Sequence, residues 1–215
     1  MKILIPIIFF IFCLLFSSSS SSQTSMFEFC VANYTAPYSP EGYSCKSPEK
    51  VTIDDFVFSG LNLPSNTNNL AKTGFRTVFV SDLAGLNGQG LSLARVDYKA
   101  GGVVPIHTHA GASETLLVLE GNLTVGFISS DNTVFLKTLN PGDGIVFPQG
   151  LLHFHVNQGN ASAVAIVNYN SPNPTFQYVA LSLFSSDLAS RLVTAITFIN
   201  PSEVRRLKAL LGGSG

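Results

Sequence analysis

The sequence predicts an all-β fold, a sandwich or barrel finished by short C-terminal helices, and three observations lead there. From about residue 50 to 184 the chain runs in short stretches rich in Val, Ile, Phe and Thr, each ended by Gly, Pro, Asn or Asp. No helical periodicity interrupts these stretches. After residue 184 the apolar residues twice recur at near-helical spacing. Many short strands at regular intervals need either closure or a second sheet to remove their exposed edges.

The N-terminus stands apart from this pattern. Met1-Lys2 precedes "ILIPIIFFIFCLLF", an apolar run of about 14 residues, and then a run of serines. A charged start, an apolar middle and a small-residue end read as a secretory signal over residues 1–22, cleaved between Ser20 and Ser25. A membrane anchor would need about 20 apolar residues, and Pro6 and the serine flank count against it. No later run is long and apolar enough to span a bilayer. The mature chain is expected to be soluble, outside the cytoplasm and without a transmembrane anchor.

Residues 23–50 form an N-terminal arm. Of three cysteines, Cys13 leaves with the signal, so Cys30 and Cys45 remain. In an oxidising compartment two cysteines allow one connectivity. The loop of about 15 residues that they would close is worth roughly 3 kcal/mol in the chain-entropy picture. A zinc site is the rival use, but there is no CxxC spacing and no nearby histidine. The Pro, Gly and Tyr of "CVANYTAPYSPEGYSC" suggest no regular structure.

Residues 51–184 carry the β runs: "GLSLARVDY", "TLLVLEG", "LTVGFIS", "TVFLKTL", "GIVFP", "LLHFHV", "AVAIVNY" and "FQYVALSLF". Turn residues in "KAGG", "SSDN", "NPGD", "PQG", "NQGN" and "SPNP" separate them. In residues 185–215, "SSDLASRLVTAITF" places Leu188, Leu192, Val193 and Ile196 on one helical face, with Ser185 or Ser186 as N-cap. "NPSEVRRLKALLGG" offers Asn200 as N-cap, Pro201 at the first helical position and Gly212 after the last leucine. Two such helices are too small for a domain, so they are expected to pack on a neighbouring subunit of a homo-oligomer.

With 12 basic and 13 acidic residues scattered along the chain, no clustered positive surface is offered to nucleic acid. Sequons at Asn33, Asn122 and Asn160 are open to glycosylation in the secretory route. Asn160 lies in a turn-like stretch, whereas Asn122 lies in a strand-like one.

The chain has only four histidines, in two pairs of identical spacing: His107 and His109, His153 and His155. Alternation along a strand turns both members of a pair to one face. If both strands line one interior, the imidazoles converge where an unpaired polar group costs a few kcal/mol, a cost that a metal offsets. Glu114 follows four small residues, Ala110 to Ser113, that can turn the chain so that its carboxylate joins them. A single His on a β face is more often a core or surface residue than a ligand. It is the joint pattern that favours a metal site.

At these residues the sequence resembles the germins and germin-like proteins of plants, within the cupin superfamily. The first family motif is met by Gly102, His107, His109, Glu114 and Gly121, the second by Gly142, Pro148, Gly150, His153 and Asn157. The resemblance extends over the mature chain and is closest to the subgroup containing the auxin-binding germin-like proteins. It implies a cupin jelly-roll β-barrel, a hexamer built as a trimer of dimers through the C-terminal helices, and a place in the extracellular space, apoplast or cell wall. It also implies manganese, Mn(2+), held by His107, His109, Glu114 and His153. Three imidazoles and a carboxylate without thiolate suit that ion, and two coordination positions stay open for water or a small anion or carboxylate.

His155 departs from the family, where glutamine is common at this place. It would relay a proton or bond a metal-bound water, or else fill the cavity by donating to a backbone carbonyl. The family's oxalate-holding asparagines would fall at Ala94 and Val104, which have no hydrogen bond to give, so no useful oxalate oxidase activity is expected. Superoxide dismutation is the leading reading. A binding protein for a small carboxylate such as auxin, or a structural wall glycoprotein, are the alternatives.

Overall fold

The structure, a computed structural model, describes residues 28–215. The expected signal sequence, Cys13 and the start of the arm lie outside the described residues. From residue 28 the arm is pinned by the Cys30–Cys45 disulfide, beside an antiparallel bridge between Ala32 and Cys45. It holds more regular structure than expected, a small hairpin of β1 (Tyr38–Ser39) and β2 (Gly42–Tyr43), whose turn uses Gly42 at a φ of 117°. Val31 and Ala32 pack against Val78, Val80, Ala84 and Leu86, which fastens the arm to the body.

Residues 51–72 differ from the expected run of strands. A 3₁₀ turn, Ile53–Phe56, opens with Thr52 and Asp55 capping each other, and Asp55 also pairs with Lys46 at 2.8 Å. Here local polar bonding outcompetes extended structure, so the body begins with β3 (Thr73–Val78).

Nine further strands follow: β4 (Ser92–Tyr98), β5 (Val103–Thr108), β6 (Glu114–Glu120), β7 (Leu123–Ile128), β8 (Val134–Leu139), β9 (Gly144–Phe147), β10 (Leu152–Val156), β11 (Ala163–Tyr169) and β12 (Gln177–Tyr178). They form two antiparallel sheets, ordered β3-β4-β11-β6-β9 and β12-β5-β10-β7-β8. Among the described residues no ladder joins the two, so the jelly roll is a sandwich rather than a continuously closed barrel. Two of the four edges are short strands, β9 of four residues and β12 of two, which leaves few unpaired backbone groups there.

Inward residues alternate as a two-layer core requires. Ala94, Val96 and Tyr98 on β4, Leu116 and Val118 on β6, and Ala165 and Val167 on β11 are buried in a single cluster. Outward neighbours such as Leu117 and Leu119 are exposed.

The last expected strand is corrected by the structure. "FQYVALSLF" pairs only at Gln177 and Tyr178, and then turns into helix α1 (Val179–Phe184). Ala180, Leu183 and Phe184 fall three to four residues apart and meet the other helices, so tertiary packing decides an apolar run whose periodicity fits either state. Helix α2 (Ser190–Thr197) starts later than expected, with Ala189 rather than Ser185 or Ser186 at its N-cap. Helix α3 (Pro201–Leu211) is as expected, with the Asn200 side chain accepting from Ser202 N–H and Gly212 closing it at a φ of 83°. The three helices share a small core of Phe184, Val193 and Val204. Phe198 is left 94% exposed at the end of α2. Among the described residues no helix is long and apolar enough to cross a membrane.

Candidate metal centre

Both sheets contribute to one buried cluster. His107 on β5 and His153 on β10 are direct cross-strand partners, and Glu114 opens β6 in the opposite sheet, between Tyr169 and Phe147. A β-bulge makes the histidine geometry work. His153 pairs with His107 and His155 with Val104, so two residues on β10 face three on β5. The extra residue lies by Pro105, a residue that the ladder tolerates at a bulge, and it re-aims the strand so that Val104 and His107 both face inward.

One potential ligand atom from each of His107, His109, Glu114 and His153 lies within 4.8 Å of the others. All four residues are 1% exposed. Aromatic rings wall the cluster: Phe147 stacks on His153 with centroids 4.6 Å apart, Phe176 meets His109 at 4.5 Å, and Tyr178 covers His107 at 5.1 Å.

Backbone carbonyls decide which nitrogen of each ring points inward. The Nδ1 atoms of His107, His109 and His153 stand 2.9, 2.8 and 2.9 Å from the carbonyls of Pro105, Thr175 and Leu151. A carbonyl only accepts, so each Nδ1 carries the hydrogen and each Nε2 presents a bare lone pair. His109 Nε2 then stands 3.0 Å from Glu114 Oε2, and His153 Nε2 stands 3.5 Å from it. Lone pairs aimed at a carboxylate repel unless a cation lies among them. The histidine tautomers that ligate a metal are set by such outer hydrogen bonds, so this donor set fits a divalent first-row ion.

The charge states agree. Burial, followed by the neighbouring His153 and His155 rings, pushes the His107 pKa down to about 3 against the pull of Glu114, so the ring is neutral and its lone pair free. Burial acts to raise the Glu114 pKa, yet the carboxyl is held well below its usual range by hydrogen-bearing or positive partners on the side of His109, His153 and His155, the place that a cation would take.

His155 is also buried, yet it stands outside the four-residue group. Its Nδ1 lies 2.9 Å from the Tyr98 hydroxyl and its Nε2 lies 3.4 Å from Glu114 Oε1. Sequence reasoning missed Tyr98, the walls Phe147, Phe176 and Tyr178, and the carbonyl partners. For Tyr98 the only signal was its place on the inward alternation after Ala94 and Val96.

Ala94 and Val104, the positions where the resemblance would put asparagines, are buried at 0% and 1% exposure and offer only methyl groups. The sequons lie apart from this centre. Asn160, Ala161 and Ser162 are all exposed. The Asn33 side chain accepts from the Thr35 hydroxyl, while Asn122 donates to Asn140 and Thr124 is buried.

A family model, Cupin, matches residues 59–205. A germin-like protein of Morus alba is 54% identical over 97% of this chain and 98% of its own length. The auxin-binding protein ABP19a of Prunus persica is 50% identical over the same shares. Among solved structures, a recombinant oxalate oxidase in complex with glycolate superposes with a TM-score of 0.83 at 31% identity, covering 86% of this chain and 96% of that one.

Proposed function

The chain belongs to the cupin family, among its germin-like and auxin-binding members, and on that premise we propose that it is a secreted manganese protein that dismutes superoxide and does not oxidise oxalate. The observation that carries this reading is the convergence of three Nε2 lone pairs and one carboxylate in a closed, aromatic-walled interior.

Manganese held by His107, His109, Glu114 and His153 would supply a one-electron redox couple there. Dismutation turns two superoxide anions and two protons into dioxygen and hydrogen peroxide, so the chain must hold protons and admit a small anion. His155 and Tyr98, bonded to each other beside Glu114, carry exchangeable protons inside the cavity. Phe147, Phe176 and Tyr178 keep bulk water off the imidazoles and favour a diatomic anion over a large substrate. For oxalate, the methyl groups of Ala94 and Val104 leave a dicarboxylate without donors at those places.

A signal over residues 1–22 and the Cys30–Cys45 disulfide support secretion to the extracellular space, apoplast or wall, with glycans on Asn33, Asn122 or Asn160. The C-terminal segment 185–215 would join subunits into a hexamer, a trimer of dimers, and the exposed apolar Phe198 and Ile196 of α2 support that role.

The deciding experiment is metal analysis of the secreted protein beside a superoxide assay. Manganese-replete protein should dismute superoxide above free manganese, and His107→Ala should lose metal and activity together. Activity that survives loss of the metal sinks the proposal.

A second reading, a binding protein for a small aromatic carboxylate, draws support from the relatives named auxin-binding. A largely apolar cavity of about 490 Å³ lined by Val103, Pro105, Leu181 and Tyr178 also supports it, since the Tyr178 ring that lines it lies 5.1 Å from that of His107. Titration of an indole acid against metal-free and manganese-loaded protein separates the two readings.

A further inference from the structure

Four imidazoles line the interior, and one is wired in the opposite sense. The Nδ1 atoms of His107, His109 and His153 meet carbonyls, which makes their Nε2 atoms lone-pair donors. His155 Nδ1 meets instead a hydroxyl that can donate, that of Tyr98. Its Nε2 faces Glu114 Oε1 at 3.4 Å, and Oε1 has no hydrogen-bond partner among the described residues.

A neutral ring has two proton arrangements, and only one satisfies all three groups. With the hydrogen on Nδ1, the Nε2 lone pair would face a carboxylate oxygen and the Tyr98 hydrogen would lack its acceptor. With the hydrogen on Nε2, Tyr98 donates to Nδ1 and His155 donates to Glu114. Burial, followed by the charge of Glu114, raises the Tyr98 pKa well above its ordinary value, so the hydroxyl keeps its hydrogen. At 3.4 Å this last approach is longer than a settled hydrogen bond, and each of the two atoms is the other's polar neighbour without a further partner.

We infer that Tyr98 is a positioning residue for Glu114, acting through His155. Tyr98 fixes the Nε2–H tautomer of His155, and His155 then holds Oε1, which leaves Oε2 as the single ligand oxygen and keeps His155 itself out of the ligand set. The inference rests on the reading of Glu114 as a ligand. It also sets a histidine at this place apart from a glutamine. A glutamine amide donates to a carboxylate unaided, whereas an imidazole needs a neighbour to choose its tautomer.

Two measurements test this. Nitrogen-15 NMR of the metal-free protein should show His155 as the Nε2–H tautomer, and an Nδ1–H tautomer overturns the inference whether or not the protein binds metal. The second is a cycle of manganese affinities by chelator competition. Tyr98→Phe should weaken binding about tenfold in the native background, the scale of a lost outer hydrogen bond, and by less than about twofold in a His155→Gln background. Equal losses in both backgrounds, or none in the native one, overturn it, and thermal melts of the metal-free variants confirm that all are folded. A native protein that binds no manganese fails the metal reading instead, and the tautomer still decides the wiring.

Discussion

His153 and Glu114 come from opposite sheets of the sandwich, and their Nε2 and Oε2 atoms stand 3.5 Å apart. A cation between them ties the two layers together, so metal binding should stabilise the fold and not only equip it. At a free manganese level a hundredfold above its Kd, linkage gives about 2.7 kcal/mol, or a rise in Tm of roughly 5–11 °C for a domain of this size. Glu114→Gln removes the only anionic ligand and should abolish that rise and the bound metal together. Calorimetry with and without manganese checks this, and a Glu114→Gln protein that still shifts would refute it.

Acid should loosen the metal-free protein well above the usual carboxylate range. His107 titrates near 6.5 when unfolded and at about 3 in the fold, because burial and the adjacent imidazoles disfavour its charge. Between those values the unfolded chain binds more protons than the folded one, so stability falls as pH drops from about 6.5 toward 3, by up to about 1.4 kcal/mol per pH unit for this group. Glu114, with its pKa lowered, adds a loss of the same sign that begins as the unfolded carboxyl protonates near 4.5 and is complete once the folded one does. Urea midpoints measured from pH 7 to pH 4 should decline steadily in the native protein and less steeply in His107→Leu.

Much of this centre was legible in the sequence because strand alternation is a local rule. His107 and His109, and His153 and His155, each share a face without reference to anything distant, and all four are buried. What sequence could not show is which element stands opposite. The pairing of β10 with β5, the bulge at Pro105 and the meeting of Glu114 with the other sheet depend on contacts between residues far apart in the chain. Tyr98 was hidden for the same reason, since its partner His155 lies 57 residues away. Helix α1 was misread as strand because its core partners, Val193 and Val204, lie in elements still to come.

Oxalate should give no peroxide with the manganese-loaded protein. Ala94 lies on β4 beside Val167, and Val104 lies on β5 opposite His155, so both face the interior with methyl groups alone. A dicarboxylate entering there would exchange its hydration for apolar contact, at about 1–3 kcal/mol for each unsatisfied group. A coupled peroxide assay, with superoxide dismutation measured on the same sample, checks the point, and oxalate-dependent peroxide release would contradict it.

Lys208 should matter more to the C-terminal helices than any apolar residue of α3 outside their shared core. A lysine in an amphipathic helix is expected at the surface, yet Lys208 is buried, and its ammonium donates to the carbonyls of Ser186, Leu188 and Ser214. It thus ties the link before α2 and the chain end to one point of α3. Lys208→Met keeps the length of the side chain but leaves three carbonyls without that donor, at about 1–3 kcal/mol for each one that water cannot reach. The helical unit should then open locally while the sandwich stays closed. Hydrogen exchange should quicken in α2 and α3 and stay unchanged in β5, β6 and β10, with manganese content retained. Asn200→Ala, which removes only the cap of α3, should cost about 1 kcal/mol and serves as the scale. If Lys208→Met changes exchange in the helices no more than that cap variant does, the three-carbonyl clamp is not what holds this unit together.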